Sequence, residues 1–405
     1  MPISPLIKNA LGSSSMIRKM FEEGARLKKQ YGNNKVFDFS IGNPDIDPPN
    51  KFNEVLLKFA AEKSKGMHGY MPNAGFLSVR NALAEKISRE QKVNIDGNHV
   101  IMSVGAAGGL NTVFKTICSP GDEIIVPKPY FMEYRAYASN HSAKLIEADT
   151  LSNFSLDLNS IKNALSEKTC AVLINSPNNP TGRVYTESEI QQLAEILKEH
   201  GKKCGRLPYL VADEPYREII YGTNTVPPVL CAYSETIIVN SYSKSLSLPG
   251  ERIGYIAVSP DITDKDDLIN GLVYSTRILG YVNAPALMQR IVAELVSEKV
   301  DVNIYLNRLN AFKSVLDSAG IEYIDPQGAF YLFCKIPPKK KITADETNLS
   351  SVNDMEFIEH LKKYLILGVP GASFGKSGWM RFAYCVDEKI IQSSQEAFQK
   401  AMESW

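Results

Sequence analysis

Residues 237–258 read IIVNSYSKSLSLPGERIGYIAV. Two short runs in it, Ile237-Ile-Val239 and Tyr255-Ile-Ala-Val258, are apolar throughout rather than alternating, the pattern of strands covered on both faces. Between them lie Ser241-Tyr-Ser-Lys244 and Pro249-Gly-Glu-Arg-Ile-Gly254, a turn-rich stretch carrying hydroxyls and two cations. Upstream the apolar pattern recurs in Asp122-Glu-Ile-Ile-Val-Pro127, Ala171-Val-Leu-Ile174 and Tyr209-Leu-Val-Ala212. Segments of helical length and period separate these runs. Glu187 to His200 is one, opened by Thr186 as N-cap with Glu189 three residues on. Strand and helix in alternation predict an α/β fold around a mostly parallel sheet with right-handed crossovers.

From about Ala284 the register changes. Amphipathic helices over Ala284 to Val300 and Asn303 to Ala319 precede strands over Ala329 to Lys335 and Trp379 to Tyr384, so a second, α+β layer is expected. The polar stretch Pro337 to Asp354 reads as a surface loop. Gly371-Ala-Ser-Phe-Gly375-Lys376-Ser377 looks like a phosphate-binding P-loop but has three residues between its glycines where that motif needs four, so a turn between strands is expected instead.

Length and charge narrow the function classes. A chain of 405 residues suggests two or three domains at about 150 residues each. Lys+Arg and Asp+Glu are 45 each and no basic block occurs, so neither nucleic acid nor an anionic membrane is an expected partner. The N-terminus lacks an apolar export segment, and the most apolar window, Val100 to Cys118, carries Ser103, Asn111, Lys115 and several glycines. A cytoplasmic protein is expected. The six cysteines form no CxxC pair and have no His at zinc-ligand spacing, so they read as scattered reduced thiols without a metal.

Four segments occur in order: Ser176-Pro-Asn-Asn-Pro-Thr-Gly182, Asp213-Glu-Pro-Tyr216, Ser241-Tyr-Ser-Lys244 and Pro249-Gly-Glu-Arg-Ile-Gly254. Each is expected to follow an apolar run at its carboxyl end, where open α/β sheets hold ligands. Singly, they read as a turn, a helix start, a surface pair and another turn. Together they resemble the fold-type I, pyridoxal-phosphate-dependent aminotransferases of class I/II. The resemblance extends to Ile41-Gly-Asn-Pro44, Gly69-Tyr70 with Gly75 and Arg80, Gly105-Ala-Ala-Gly-Gly109, Pro129-Tyr-Phe131 and Gly378-Trp-Met-Arg381, and so spans almost the whole chain.

That resemblance implies a large cofactor-binding domain over 48–290 and a small domain built from 1–47 and 291–405. Lys244 matches the lysine that tethers pyridoxal 5'-phosphate through a Schiff base and shuttles the proton; burial and neighbouring cations lower a lysine pKa and suit it to that work. Asp213 matches the carboxylate that keeps the cofactor's ring nitrogen protonated, with Glu214 beside it as the rival. Asn179 and Tyr216 match the two donors to the ring 3'-oxygen. For the phosphate, the resemblance implies the N–H groups of Ala106 and Ala107 at a helix start, the hydroxyls of Ser241 and Ser243, and the Arg252 guanidinium. Phe131 matches the aromatic that stacks on the ring, with Tyr130 as the neighbouring alternative. Arg381 matches the arginine that grips the substrate α-carboxylate. Gly42 belongs to the same substrate site.

Tyr70 resembles a tyrosine that reaches the partner subunit's cofactor, which implies a homodimer with shared sites. Arg277 lies in roughly the segment where a second cation would read a distal carboxylate, while Tyr31, Tyr70 and Tyr331 would suit an aromatic substrate. The expected activity is a ping-pong exchange of an amino group between an L-amino acid, aspartate or aromatic, and a 2-oxo acid. A C–S β-lyase on the same fold is the alternative, because the same carbanion expels a leaving group from Cβ. A noncatalytic ligand-binding module of the kind fused to regulators would need a basic winged-helix segment, and none is present.

Overall fold

In the computed structural model, which describes residues 3–4, 7–8, 16–63, 65–339 and 354–405, the chain builds two layers of sheet and helix. A first short strand, β1 (Phe37–Asp38), precedes the central sheet. That sheet comprises β2 (Val100–Ser103), β3 (Glu123–Pro127), β4 (Lys144–Ala148), β5 (Thr169–Asn175), β6 (Tyr209–Asp213), β7 (Thr236–Ser241) and β8 (Gly254–Val258). Its spatial order is β2-β8-β7-β6-β5-β3-β4. Every residue of β2, β5 and β8 is buried, which is why those runs are apolar without alternation.

All neighbouring pairs are parallel except those made by β8, which runs antiparallel to both β2 and β7. This corrects one expectation. Pro249 to Gly254 does not follow an apolar run; it leads into β8. Because β8 is reversed, its amino end lies at the same sheet edge as the carboxyl ends of β5, β6 and β7.

The helix over Glu187–Cys204 starts as its sequence predicts. Glu189 N–H donates to Thr186 Oγ1 at 3.2 Å, and Thr186 N–H donates back to the Glu189 carboxylate at 2.7 Å. Gly205, at φ 72°, ends it in the left-handed conformation that glycine accepts without strain.

The second layer holds β9 (Tyr323–Ile324), β10 (Tyr331–Lys335), β11 (Ile366–Leu367), β12 (Val369–Pro370) and β13 (Trp379–Ala383). Strands β12-β13-β10-β9 form an antiparallel sheet, while β1 pairs in parallel with β11, so the start of the chain is stitched to its far end. Phe39, Phe312, Phe382 and Phe398 cluster behind this layer, with Phe39 and Phe312 centroids 4.5 Å apart. Tyr216, Ile219 and Tyr221, which follow β6, join this core too, and Tyr216 meets Phe330 edge to face.

Several boundaries differ from expectation. The helix expected over Ala284 to Val300 spans Ala286–Glu294. Pro285 confines its start, and Val300 N–H donates to Ser245 O at 2.8 Å instead of continuing a helix. The next helix, Val302–Ser318, is capped by Asp301. Strand β10 begins at Tyr331 rather than Ala329, which sits at φ 59°. Gly371–Phe374 is a single 3-10 turn between β12 and β13, in line with the rejected P-loop. Residues 340–353 of the expected surface loop lie outside the described residues, and Asp354 already starts the helix Asp354–Lys362. All six cysteines are free, but they are not all scattered: Cys118 and Cys170 bring their sulfurs to 3.5 Å. Among the described residues no helix is long and apolar enough to cross a membrane.

Candidate active site

A cavity of about 300 Å³ opens where the last residues of β5, β6 and β7, Asn175, Asp213 and Ser241, face Tyr331 of β10 and Arg381 of β13. All the expected site residues line it except Tyr31, Tyr70 and Arg277.

Lys244 sits on the short helix Tyr242–Ser245 that follows β7. Its ammonium Nζ donates to Gly42 O at 2.7 Å and stands 5.4 Å from the centre of the Phe330 ring. Burial pushes its pKa down to about 8, and the cations Arg381 and Arg252 add to the lowering. The group is therefore poised to lose its proton near neutral pH.

Asp213 is fully buried at the end of β6, and burial raises its carboxyl to about 7 while the Tyr134 hydroxyl opposes the rise. Tyr134 donates to Oδ2 at 2.5 Å. The other oxygen, Oδ1, is buried with no hydrogen-bond partner among the described residues. A buried carboxylate oxygen left without a donor is costly, by about 1–3 kcal/mol or more, and a cationic N–H placed in the cavity would satisfy it. Glu214 faces elsewhere, paired with Arg217 at 2.9 Å, and does not line this cavity.

Asn179 accepts from Arg381 Nη1 through Oδ1 at 2.9 Å, so its amide nitrogen is the group left to donate to a ligand. Tyr216 Oη lies 2.7 Å from Tyr331 Oη. Phe131, not Tyr130, faces the cavity; Tyr130 is buried and its hydroxyl donates to Glu147 at 2.7 Å.

At the amino end of the helix Gly105–Ile117, Ala106 and Ala107 present first-turn N–H groups that the helix itself leaves unused. A Cβ on Gly105 would stand 2.6 Å from Arg252 Nη2, so glycine there is what lets the guanidinium approach this turn. Ser241 and Ser243 complete the cluster. Donors of this kind suit a phosphate.

Arg381 is 1% exposed and has no carboxylate partner among the described residues. Its Nη2 donates to Ser40 O at 2.7 Å, and its Nε has no partner. Tyr331 and Phe374 bring their ring centres to 4.5 and 4.9 Å from its Cζ. Burying an uncompensated guanidinium costs several kcal/mol, so the site is built to receive an anion.

A family model described as aminotransferase class I and II matches residues 34–397. The chain belongs to the class I and II aminotransferases. This aminotransferase is 30% identical over 384 residues to a probable aspartate/prephenate aminotransferase of Aquifex aeolicus, covering 91% of each chain. It is 29% identical to an aspartate aminotransferase of Bacillus subtilis, again with 91% of each chain covered. Among solved structures, an amino transferase from Eubacterium rectale superposes with a TM-score of 0.92 at 35% identity, covering 100% of this chain and 99% of that one.

In the aminotransferase, Tyr70 is 93% exposed and Arg277 is exposed near the end of the helix Lys265–Ile278. Neither belongs to the cavity of its own chain, so Arg277 does not read a distal carboxylate there. Sequence reasoning missed Tyr134, Tyr137 and Asn175. Asn175 was within reach, because it immediately precedes the Ser176 motif and its Nδ2 donates to Asp213 O at 2.8 Å. Tyr134 follows Phe131 by three residues at the start of the helix Glu133–Asn140, but only the tertiary fold brings it to Asp213.

Proposed function

We propose that this aminotransferase holds pyridoxal 5'-phosphate on Lys244 and works as a cytoplasmic homodimer. Its exchange would pass an amino group between an L-amino acid, aspartate or aromatic, and a 2-oxo acid. The observation that carries this reading is the pairing, in one cavity, of a buried lysine brought to about 8 with a buried Asp213 whose Oδ1 has no donor. When bound, the cofactor supplies the electron sink that accepts the pair left as the substrate Cα–H bond breaks. The chain does the rest. Asp213 supplies the counter-charge for a ring N–H, and Tyr134 holds that carboxylate in place. Arg252, Ser241, Ser243 and the N–H groups of Ala106 and Ala107 would grip the phosphate, and Phe131 would cover the ring face.

Arg381 grips the α-carboxylate and so orients the Cα–H bond. The amine of Lys244, free once the substrate's own amine has taken its place, would take the proton from Cα, steadied by the Gly42 carbonyl 2.7 Å away, and return it at the carbon where the new C–H bond forms. Aspartate as a substrate follows the names of the curated relatives, and an aromatic one is favoured by the Tyr134, Tyr137 and Tyr331 rings lining the cavity.

Two experiments test the reading. Borohydride reduction of the protein loaded with pyridoxal phosphate, followed by peptide mapping, should place the label on Lys244; a label on another lysine sinks the assignment. Mixing the loaded protein with single amino acids should convert its visible band to the amine form for aspartate or phenylalanine, and pyruvate release from cystathionine without that conversion would favour the β-lyase.

A further inference from the structure

Tyr331 lines the cavity and touches two site residues at once, Tyr216 and Arg381. Its hydroxyl lies 2.7 Å from Tyr216 Oη, with the rings edge to face at 5.7 Å. Its ring centre lies 4.5 Å from the Arg381 guanidinium carbon. The approach is designed into the backbone: a Cβ on Gly42 would run into the Tyr331 hydroxyl, so only glycine leaves it room. The carbonyl of Gly42 in turn accepts from Lys244. Tyr331 stands opposite Ala383, its register partner across β10 and β13.

Proton counting gives the hydroxyl a direction. Each phenol owns one proton. If Tyr216 gives its proton to a ligand oxygen, as the family resemblance implies, the 2.7 Å contact survives only with Tyr331 as donor. A phenol that accepts a hydrogen bond is a stronger donor through its own proton. On the opposite side, the Tyr331 ring places its negative face against a guanidinium that lacks any carboxylate partner among the described residues, and fixes the plane of the fork.

From this arrangement we infer that Tyr331 is a dual positioning residue: its hydroxyl sharpens Tyr216 as donor to the cofactor's ring oxygen, and its ring aims Arg381 at the substrate carboxylate. The inference rests on the proposed cofactor, and it splits into two effects that different substitutions separate. Tyr331→Phe removes only the hydroxyl. Tyr331→Leu removes the ring as well.

The test uses protein loaded with pyridoxal phosphate and reads two quantities besides turnover. The first is the pH at which the visible band of the bound cofactor changes form. The second is the dissociation constant of succinate and of 3-phenylpropionate, carboxylates without an amino group, followed by the same band. Donation to the ring oxygen stabilises its negative charge and disfavours the protonated form. Tyr331→Phe should therefore raise the transition pH by about half a unit, with both dissociation constants within about twofold of the unmutated protein. Tyr331→Leu should weaken both carboxylates roughly 3- to 10-fold.

A Tyr331→Phe transition identical to the unmutated one overturns the hydroxyl role, and Tyr331→Leu binding as tight as Tyr331→Phe overturns the ring role. Should Tyr331→Leu fail to fold, the Phe variant, which keeps the packed ring, still decides the first role, and Tyr331→Met, which fills the space without a ring, decides the second: carboxylates bound as tightly as by the Phe variant overturn it. Absence of any visible band in the unmutated protein is a different failure, that of the cofactor reading itself.

Discussion

Asp213 keeps one buried oxygen that no group among the described residues satisfies, and its titration exposes that. Its folded pKa, raised to about 7 by burial, lies above the roughly 3.9 of an unfolded aspartate. Between those values the folded state holds a proton that the unfolded state releases, so the contribution to stability is present at low pH and is lost as pH rises toward about 7. In cofactor-free protein, Asp213→Asn should melt increasingly above the unmutated protein as pH goes from 5 to 8. Pyridoxal phosphate should reverse the order by stabilising only the chain that offers a counter-charge. A melting gap that ignores pH would remove burial as the cause.

Arg381 poses the complementary case of a cation awaiting an anion. Arg381→Lys keeps the charge but loses the fork, so the specificity constant should fall by at least about tenfold for aspartate and phenylalanine alike, the pattern of a lost common contact. Arg277→Ala reports separately: a loss confined to aspartate would mean that this exposed arginine reaches a distal carboxylate across a subunit boundary, and equal small effects on both substrates would dismiss it.

Among the elements, β8 and the turn before the helix Gly105–Ile117 depend on a close backbone approach. A Cβ on Gly254 would stand 3.1 Å from the Gly105 carbonyl carbon as well as against Asn240 O. Gly254→Ala should therefore push β8 away from that turn and displace Arg252, weakening cofactor affinity by about tenfold or more, at a stability cost of about 1–3 kcal/mol. Thr186→Ala is the contrast: loss of a helix cap far from the cavity should cost about 1 kcal/mol by denaturant titration and leave cofactor affinity unchanged.

These same elements show what the sequence could tell. Strands β5, β6 and β7 were legible because burial on both faces leaves no polar alternation, and the Thr186 cap because its partner is three residues away. The reversal of β8 was not, since an apolar run reads the same in either direction. The end of the helix Ala286–Glu294 was hidden because a tertiary acceptor, Ser245 O, takes the amide of Val300. Motif residues reached the cavity as expected, and so did Tyr331, whereas Tyr134 entered it through a contact with Asp213, 79 residues away in sequence.

For the whole molecule, the exposed apolar surface is uneven. Tyr70 at 93%, Leu57 at 69%, Tyr274 at 63% and Leu77 at 51% are among the exposed large apolar side chains, and a subunit contact through Tyr70 would cover part of that surface. Mixing inactive Tyr70→Phe and Lys244→Ala chains should restore part of the activity if one subunit completes the other's site, since half of the hybrid sites then contain neither change. Exchange of subunits without recovery would mean that each site is self-sufficient.

The pairing of β1 with β11 also bears on synthesis. The Ser40 carbonyl that steadies Arg381 leaves the ribosome 341 residues before Arg381 itself. Lys244, Asp213 and Arg252 emerge between them, on a sheet completed by β8. On the proposed cofactor reading, a growing chain owns the residues for phosphate and ring nitrogen before the arginine for a substrate carboxylate, an order that would let cofactor binding precede the docking of the final layer.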